Sequence, residues 1–457
     1  MSLAGAKPQM SRQLELPWGE RGEAPTAPRS EEAPAAAKGS AGSGASGLLE
    51  AVLSRPNLQA ALRRVRSNKG SPGSDGMTVE ELPVWLREHW PEIREQLLAG
   101  TYQPSPVKRQ MIPKRGGGMR ELGIPTVLDR FIQQALLQVL QPRFDPGFSE
   151  HSYGFRPGRR AHDAIRQAQH YVQEGRRWVV DVDLEKFFDR VNHDVLMGKL
   201  DKRIEDRRVL GLIRRYLNAG IMAGGVVVER HEGRPQGGPL SPLLANVLLD
   251  EVDKELEASG HAFVRYADDC NIYVHSRRAG ERVLGRLRRL YARLRLRVNE
   301  SKSAVAPATQ RQFLGFAFWV GPGKQVKRRV AAKALSAMKE RVRGITRRTR
   351  GQSLEQVCEQ LRGYLRGWQE YFRLAETPGV FERLDEWLRH RLRALQLKQW
   401  KRGTTIYREL RARGMSSAAA ARVARNGRRW WHNSALAIHM ALPNSLFDGL
   451  GLPRLAG

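Results

Sequence analysis

The stretch HAFVRYADDCNIYV, residues 261–274, decides the fold because two strand-like segments flank a reversal that carries adjacent carboxylates. Apolar and aromatic residues dominate HAFV and NIYV, which predicts two short β-strands. Asp268 and Asp269 lie between them in a chain whose formal net charge is +31. Aspartate tolerates tight turns, so an ordinary hairpin turn is one interpretation of the pair. The other is a site where acidic groups hold a cation.

A second strand-like segment, RWVVDVDLEKFFDRVNHD at residues 177–194, supplies further acids. Asp181 and Asp183 are two residues apart, so a strand places them on the same face. Burying carboxylates is costly unless a cation or hydrogen-bond donors satisfy them. Acids at two strand ends suit Mg²⁺, which prefers oxygen ligands. Two such ions about 3.5–4 Å apart activate an attacking hydroxyl and stabilise a leaving pyrophosphate, so the segments predict a two-Mg²⁺ phosphoryl-transfer site.

The composition predicts a polyanionic partner. Lys and Arg number 78 against 47 acids, and cations on this scale favour phosphate binding. A generally arginine-rich proteome is the alternative. Two cysteines, Cys270 and Cys358, are too few for a zinc ribbon or an HNH-type nuclease domain built on CxxC pairs. Neither a signal-peptide pattern nor a membrane-length apolar run is visible, so we expect a cytoplasmic protein, nucleoid-associated when acting on DNA, with no membrane partner.

The organisation along the chain changes twice. Residues 1–47 are low in complexity and predict a disordered tail. Helical and strand-like segments then alternate, which predicts an α+β fold. After Gly323 strand signals give way to helical spacing, as in SLEQVCEQLRGYLRGWQEYFRLAE at residues 353–376. Residues 321–430 hold 28 Lys or Arg against 9 Asp or Glu, so we expect the strongest phosphate-facing surface there.

Nine blocks, in order, resemble group II intron-encoded reverse transcriptases with a maturase region. They are LRRVRSNKGSPGSDGMTVEEL, MIPKRGGGMRELGIPTVLDRFIQQAL, FSEHSYGFRPGRRAHDAI, DVDLEKFFDRVNHD, GRPQGGPLSPLLANVLLDEVD, RYADD, LRVNESKSAV, RQFLGFAFW and LRGYLRGWQEYF. Each block is weak by itself, whereas their order is specific.

The resemblance implies a right-hand polymerase fold, with fingers and palm at residues 48–322. An all-helical thumb/X domain at 323–400 and a small basic DNA-binding region at 401–457 would follow. It implies a bacterial RNA-directed DNA polymerase, without an HNH domain, that copies group II intron RNA from a DNA primer using dNTPs and two Mg²⁺ ions. As a maturase it would also bind and stabilise the intron RNA. The alternatives are a catalytically dispensable RNA-binding splicing factor, or a reverse transcriptase recruited to host defence or DNA repair.

The resemblance also implies roles for single residues. Asp183, Asp268 and Asp269 would be catalytic metal ligands, together with the backbone carbonyl of Leu184. The spacing of the family's palm motif selects Asp183, although strand geometry alone leaves Asp181 open. The nucleotide-binding residues would be Lys114, Arg120, Phe188, Gln236 and Lys302.

Each of these nucleotide contacts has a plainer alternative. Phe188 would exclude a ribose 2′-OH, with Phe187 as the other candidate and core packing the alternative for both. Lys114 and Arg120 flank RGGGM, which is otherwise a basic hairpin turn. Lys302 would protonate the leaving pyrophosphate.

The C-terminal part supplies the expected nucleic-acid contacts. Guanidinium groups next to aromatic rings are typical of surfaces that bind phosphates and stack bases, as in RNGRRWW at residues 425–431. Packing between helices is the alternative for the two tryptophans. The predicted contacts are Arg362, Arg366, Arg428, Arg429, Trp430 and Trp431.

Overall fold

The computed structural model of the chain describes residues 47–113, 119–223, 226–228, 237–348, 351–434 and 437–456. The predicted tail, apart from its last residue, lies outside this range, as do Lys114 and Gln236. The backbone of Arg120 is described but its side chain is not. The described residues divide into two compact units that meet in sequence between Leu314 and Gly315.

The first unit mixes helices and strands, so the predicted α+β class is confirmed. Its helices are α1 (Leu48–Val52), α2 (Arg55–Ser67), α3 (Leu82–Ala99), α4 (Val127–Phe144), α5 (Ala161–Gln173), α6 (His193–Asp201), α7 (Arg207–Asn218), α8 (Ser241–Ala258) and α9 (Arg277–Arg293). Its strands are β1 (Val107–Pro113), β2 (Met119–Ile124), β3 (Trp178–Val182), β4 (Ile221–Ala223), β5 (Val226–Val228), β6 (Ala262–Tyr266), β7 (Asp269–Val274), β8 (Ala304–Pro307) and β9 (Gln312–Phe313).

The central sheet of this unit has the strand order β6-β7-β3-β8, and every neighbouring pair is antiparallel. All six residues of β7 are buried, as are four of the five in β3. Helices α5 and α9 pack against the sheet. In α9 the apolar residues recur at helical spacing and turn inward, because Val283, Leu284, Leu287 and Leu290 are buried while the arginines between them face outward.

A second sheet of the same unit has the order β2-β1-β4-β5. Strands β1 and β2 form a long antiparallel hairpin whose register runs from Lys108 opposite Ile124 to Pro113 opposite Met119. Strand β4 joins β1 in parallel.

The second unit begins with a hairpin and continues in helices. The hairpin joins β10 (Phe316–Val320) to β11 (Val326–Val330). The helices are α10 (Ala332–Ile345), α11 (Leu354–Phe372), α12 (Pro378–Gln399), α13 (Gly403–Ala412), α14 (Ser417–Arg425), α15 (Trp430–Ser434) and α16 (Asn444–Gly449). In α11 the predicted stripe is buried in full, comprising Leu354, Val357, Leu361, Leu365, Trp368 and Phe372.

Strand β11 corrects the expectation that strand signals end at Gly323. Only its two terminal valines are buried, and three basic residues separate them. A strand of this kind lacks the apolar alternation by which strands are recognised in a sequence. It is specified instead by pairing with β10, where Phe316 lies opposite Val330.

None of the helices in the described part of the chain is long and apolar enough to span a lipid bilayer.

Replacing Leu365 by alanine tests the core of the second unit. The side chain is fully buried, so its truncation should lower the free energy of unfolding by about 2–5 kcal/mol. Arg366→Ala, at the next, exposed position of α11, should change it by less than about 0.5 kcal/mol. Denaturant unfolding of the full chain measures both. Equal effects would contradict the assigned inward face of α11.

Candidate active site and nucleic-acid interface

The two adjacent aspartates lie at a tight reversal between β6 and β7. Tyr266 pairs with Asp269, so the connecting loop consists of Ala267 and Asp268 alone. The backbone of Ala267 has φ of +59°, which is uncommon for a residue with a β-carbon. Such a conformation persists only where the surroundings hold it. We call residues 266–269 the aspartate turn.

The guanidinium of Arg265 holds the aspartate turn from beneath. Arg265 is fully buried, and it donates to both carboxylate oxygens of Asp253, from Nε at 2.8 and 2.9 Å. It also donates to the carbonyl oxygen of Ala267 at 2.9 Å, directly before Asp268. Burial would lower the pKa of this guanidinium, but the Asp253 carboxylate raises it, so the group stays charged. The strained residue is therefore fixed by a charged, fully desolvated donor.

Two further groups close this buried network. Arg265 donates to Asn246 Oδ1 at 2.9 Å and to Ser152 Oγ at 2.7 Å. Asn246 in turn donates to the carbonyl oxygen of Gly154 at 2.9 Å. The network thus joins α8, the aspartate turn and the loop at residues 149–160, and it leaves no donor of Arg265 to water.

Gly154 lies in direct backbone contact with the aspartate turn. A β-carbon built on it would approach the backbone nitrogen of Ala267 to 2.2 Å and the carbonyl carbon of Tyr266 to 2.9 Å. Neither atom can move without moving the turn itself. A glycine is therefore required at this position for steric reasons.

The register of the central sheet brings the third aspartate to the same edge. Val182 at the end of β3 lies opposite Cys270 in β7. Extended by one residue, this register would bring Asp183 opposite Asp269, next to Asp268. Asp183 is held by its backbone, since its N–H donates to Ser303 Oγ at 3.0 Å and its carbonyl accepts from the N–H of Asn299 at 2.8 Å. Its side chain is mostly covered, with 13% exposed.

Asp181, which lies within β3, has a different environment from Asp183. Its carboxylate accepts from Arg311 Nε at 2.9 Å, and the guanidinium of Arg311 also donates to the carbonyl oxygen of Lys302 at 2.8 Å. Asn271, with its amide nitrogen turned toward Asp181, donates to Oδ1 at 3.0 Å. Asp181 is thus committed to an ion pair inside the sheet, which favours Asp183 as the ligand of the pair.

Lys302 lies beside Asp183. Its Nζ is 3.8 Å from Asp183 Oδ2, and its side chain is 64% exposed, so the ammonium group reaches solvent beside Asp183. We call the end of the central sheet that carries Asp183, Asp268 and Asp269 the acidic edge. Leu184, whose carbonyl is a predicted ligand, forms an isolated antiparallel bridge with Val298.

Phe188 lies in a short 3₁₀ helix, Phe187–Arg190, that follows this edge. It is 7% exposed and meets Phe187 edge-to-face, with ring centroids 5.0 Å apart. Both rings belong to the hydrophobic core of the unit, and Phe188 is the more accessible of the two. The ring positions are therefore rigid, as a gate against a 2′-hydroxyl requires.

The donor set at this edge suits a divalent cation. Three carboxylates and backbone carbonyl groups are hard oxygen ligands of the kind that Mg²⁺ selects. Within the described ranges, no three acidic, histidine or cysteine side chains converge into a complete metal-binding group. The residues therefore suit a divalent cation by the chemistry of their oxygen atoms and by their common position at one edge of the sheet.

The predicted nucleic-acid contacts lie in different surroundings within the second unit. The guanidinium of Arg362 donates to the carbonyl oxygen of Leu450 at 2.8 Å, so it fastens the C-terminal segment to α11. Arg366, Arg428 and Arg429 are exposed. Trp431 is 43% exposed and stacks on His390 with ring centroids 3.8 Å apart.

A cluster of cations around Trp387 escaped the sequence analysis. Lys339 Nζ, Arg343 Cζ and Arg391 Cζ lie 5.8, 5.8 and 5.4 Å from its ring centroid, and none of the three forms an ion pair with another described residue. Burial, and then the guanidiniums of Arg343 and Arg348, lower the pKa of Arg391. Positive charge is therefore concentrated here, and no described carboxylate forms an ion pair with these three side chains.

The same arrangement continues at Trp430. Lys398 Nζ lies 4.1 Å and Arg348 Cζ 5.3 Å from its ring centroid. Arg391 and Lys398 are seven residues apart on α12, so they lie on one face of this helix. We call the whole set the cation–tryptophan surface: Lys339, Arg343, Arg348, Trp387, Arg391, Lys398 and Trp430. In the sequence, only the seven-residue spacing of Arg391 and Lys398 on α12 indicated this surface. The residues from α10 and α15 lie far from α12 along the chain.

Comparison with known families matches these features. Residues 112–318, slightly less than half of the chain, match the family described as reverse transcriptase (RNA-dependent DNA polymerase). Residues 335–414 match the domain described as group II intron, maturase-specific domain. The chain is thus similar to group II intron-encoded reverse transcriptases in both of these segments. The two matches fit the predicted right-hand polymerase fold, with fingers and palm followed by a helical thumb region.

Two curated relatives are similar to part of the chain. The chain is 39% identical over 215 residues to protein YkfC of Escherichia coli, spanning 46% of this chain and 56% of that protein. It is 37% identical over 204 residues to the group II intron-encoded protein LtrA of Lactococcus lactis, spanning 44% and 34%. The chain thus matches about half and about a third of these proteins. A solved partial Cas6-RT-Cas1–Cas2 complex is 27% identical, with a TM-score of 0.36, over 54% of this chain and 42% of that one.

Removing Asp253 tests the buried network. Asp253→Ala strands the Arg265 charge in the interior, so the free energy of unfolding should fall by about 3–5 kcal/mol. Glu251→Ala, on the same helix, removes only a half-exposed partner of Lys199 and should cost less than about 1 kcal/mol. Chemical denaturation measures both. A small loss for Asp253→Ala would show that Arg265 finds water or another partner.

Proposed function

We propose that this protein is an RNA-directed DNA polymerase that copies intron RNA from a DNA primer, and a maturase that binds and stabilises the same RNA. The observation that supports the polymerase assignment is the pairing of β3 with β7, whose last pair, Val182 with Cys270, lies directly before Asp183 and directly after the aspartate turn. The match of residues 112–318 to the reverse transcriptase family agrees with this assignment.

The acidic edge would hold two Mg²⁺ ions through Asp183, Asp268, Asp269 and the carbonyl of Leu184. The bound ions would activate the primer 3′-hydroxyl and stabilise charge on the pyrophosphate. Arg311 keeps Asp181 occupied, so that carboxylate does not compete for the cations. Arg265 fixes the carbonyl of Ala267, and thereby the direction in which Asp268 leaves the turn.

Other residues of the chain would handle the nucleotide. Lys302, whose Nζ lies 3.8 Å from Asp183 Oδ2, would give a proton to the leaving pyrophosphate. The ring of Phe188 would exclude a 2′-hydroxyl. Lys114, Arg120 and Gln236 are proposed contacts to the triphosphate and sugar on the strength of the family pattern.

The maturase assignment rests on the second unit. Binding of a structured RNA uses shape and phosphate contacts, and the RNA supplies its own splicing chemistry. The cation–tryptophan surface provides five cations and two indole rings, and its cations have no described acidic partner. Phosphates would neutralise it, and unpaired bases would stack there. Arg366, Arg428, Arg429 and Trp431 are proposed as further contacts, and Arg362 as a support for the C-terminal segment.

Asp268→Ala tests the polymerase. Extension of a DNA primer on an RNA template, with Mg²⁺ and dNTPs, should fall by roughly a hundredfold or more, because one ligand of both cations is lost. Binding of structured RNA should stay within about twofold of the unaltered protein. Asp201→Ala, an exposed acid paired with Arg207, is the control and should extend normally. Equal extension by the two variants would refute the catalytic assignment, and absence of extension in the unaltered protein would favour a splicing factor.

Trp387→Ala and Arg391→Ala test the interface. Each should weaken binding of structured RNA by roughly tenfold, as expected for one stacking or charged contact. Arg391→Ala should also flatten the salt dependence between about 50 and 200 mM by about one contact. Arg383→Ala removes an exposed cation from the same helix, outside the cation–tryptophan surface, and should have little effect. If all three variants bind alike, the RNA lies elsewhere.

A further inference from the structure

A second concave site lies in the first unit, at the end of the central sheet away from the aspartate turn. It has a volume of about 400 Å³. It is lined by the start of β6, the end of β7, the first turns of α9 and the residue Arg176 that follows α5. Tyr273 in its wall is four residues along β7 from Asp269, which is about 14 Å at the rise of a strand. The cavity is therefore separate from the acidic edge.

The arginine and histidine side chains among the described lining residues form a basic rim. Three guanidiniums and two imidazoles contribute: Arg176, Arg282, Arg286, His261 and His275. Arg282 is exposed, and its guanidinium has no hydrogen bond or ion pair to any other residue that the structure describes. No carboxylate lines the cavity. An anion with several oxygens would find donors on more than one side.

Its floor is apolar. Tyr273, Val274 and Val283 are buried there, and Ala262 and Ala279 complete it. A cavity with a cationic rim and an apolar floor matches a phosphate ester joined to a less polar body, such as a sugar with its base. A bare anion would use the rim alone.

Two carboxylates stand just outside the lining and compete for its cations. Glu255 of α8 pairs with Arg286, and Glu174 pairs with Arg176. Burial, and then Arg286, lower the pKa of His261, so this imidazole stays neutral near pH 7 and can still hydrogen-bond to a ligand. Charge at the rim is thus set by Arg282 and by how firmly Glu255 holds Arg286.

We propose that this cavity, at the base of α9, binds a nucleotide unit through its phosphate, separately from the polymerase site. The unit belongs either to the backbone of a bound RNA or to a free nucleotide, since both present the same phosphate ester and sugar. Arg282 is its principal contact, and Arg286 joins it when released from Glu255.

Two substitutions with opposite expected effects test the proposal. Arg282→Ala should weaken binding by roughly three- to tenfold, because one charged contact is lost. Glu255→Gln should strengthen it by a few fold, because Arg286 is released while the size of the side chain is kept. Arg289→Ala removes an exposed arginine of the same helix, outside the cavity, and should bind normally. Misfolding cannot produce changes of opposite sign.

Calorimetric titrations of the full protein with AMP and with a single-stranded RNA 12-mer distinguish the two sources. Opposite changes with AMP identify a free nucleotide as a ligand, and opposite changes with the 12-mer alone identify the RNA backbone. Identical isotherms for all variants with both ligands overturn the proposal. Asp268→Ala should leave these titrations unchanged, and Arg282→Ala should still extend a saturating primer, so this test is independent of the polymerase assignment.

Discussion

The buried pair formed by Arg265 and Asp253 is the interaction on which the acidic edge depends. A guanidinium without access to water needs every donor satisfied, and here the satisfied partners include the carbonyl of Ala267 and the hydroxyl of Ser152. Ala267 holds a backbone conformation that is costly for a residue with a β-carbon. The free energy that keeps it there comes from the network beneath, which also connects α8 and the loop at residues 149–160.

The carboxylates near this edge differ in the cationic side chains that they contact. Asp181 and Asp253 are neutralised inside the unit by arginines, whereas Asp183 has an exposed lysine beside it. Asp181 on β3 and Asp253 on α8 are thus each paired with a fixed guanidinium. In a chain with an excess of 31 positive charges, these pairs use two arginines that lie close to the aspartate turn and to Asp183.

Local patterns predicted much of the fold, and contacts between distant residues account for what they missed. The strands around HAFVRYADDCNIYV, and the buried stripe of α11, were predictable because each is visible within one segment. Strand β11 was missed because its pairing with β10 specifies it. Arg265 was predicted only as part of a motif, since its side-chain partners lie 12 to 113 residues away. Apart from Trp430, which was predicted as a contact, the cation–tryptophan surface was missed for the same reason. Arg362 was expected at an interface, although its guanidinium donates to the carbonyl oxygen of Leu450.

The contact between Gly154 and Ala267 links two parts of the chain that differ by more than a hundred positions. Because no β-carbon fits between these backbones, the path of the loop at residues 149–160 fixes the position of the aspartate turn. The two segments would therefore have to be exchanged together. A chimera that takes the turn from a related protein would have to take the matching loop with it, and insertions in that loop would displace Asp268 and Asp269 before they disturbed the core.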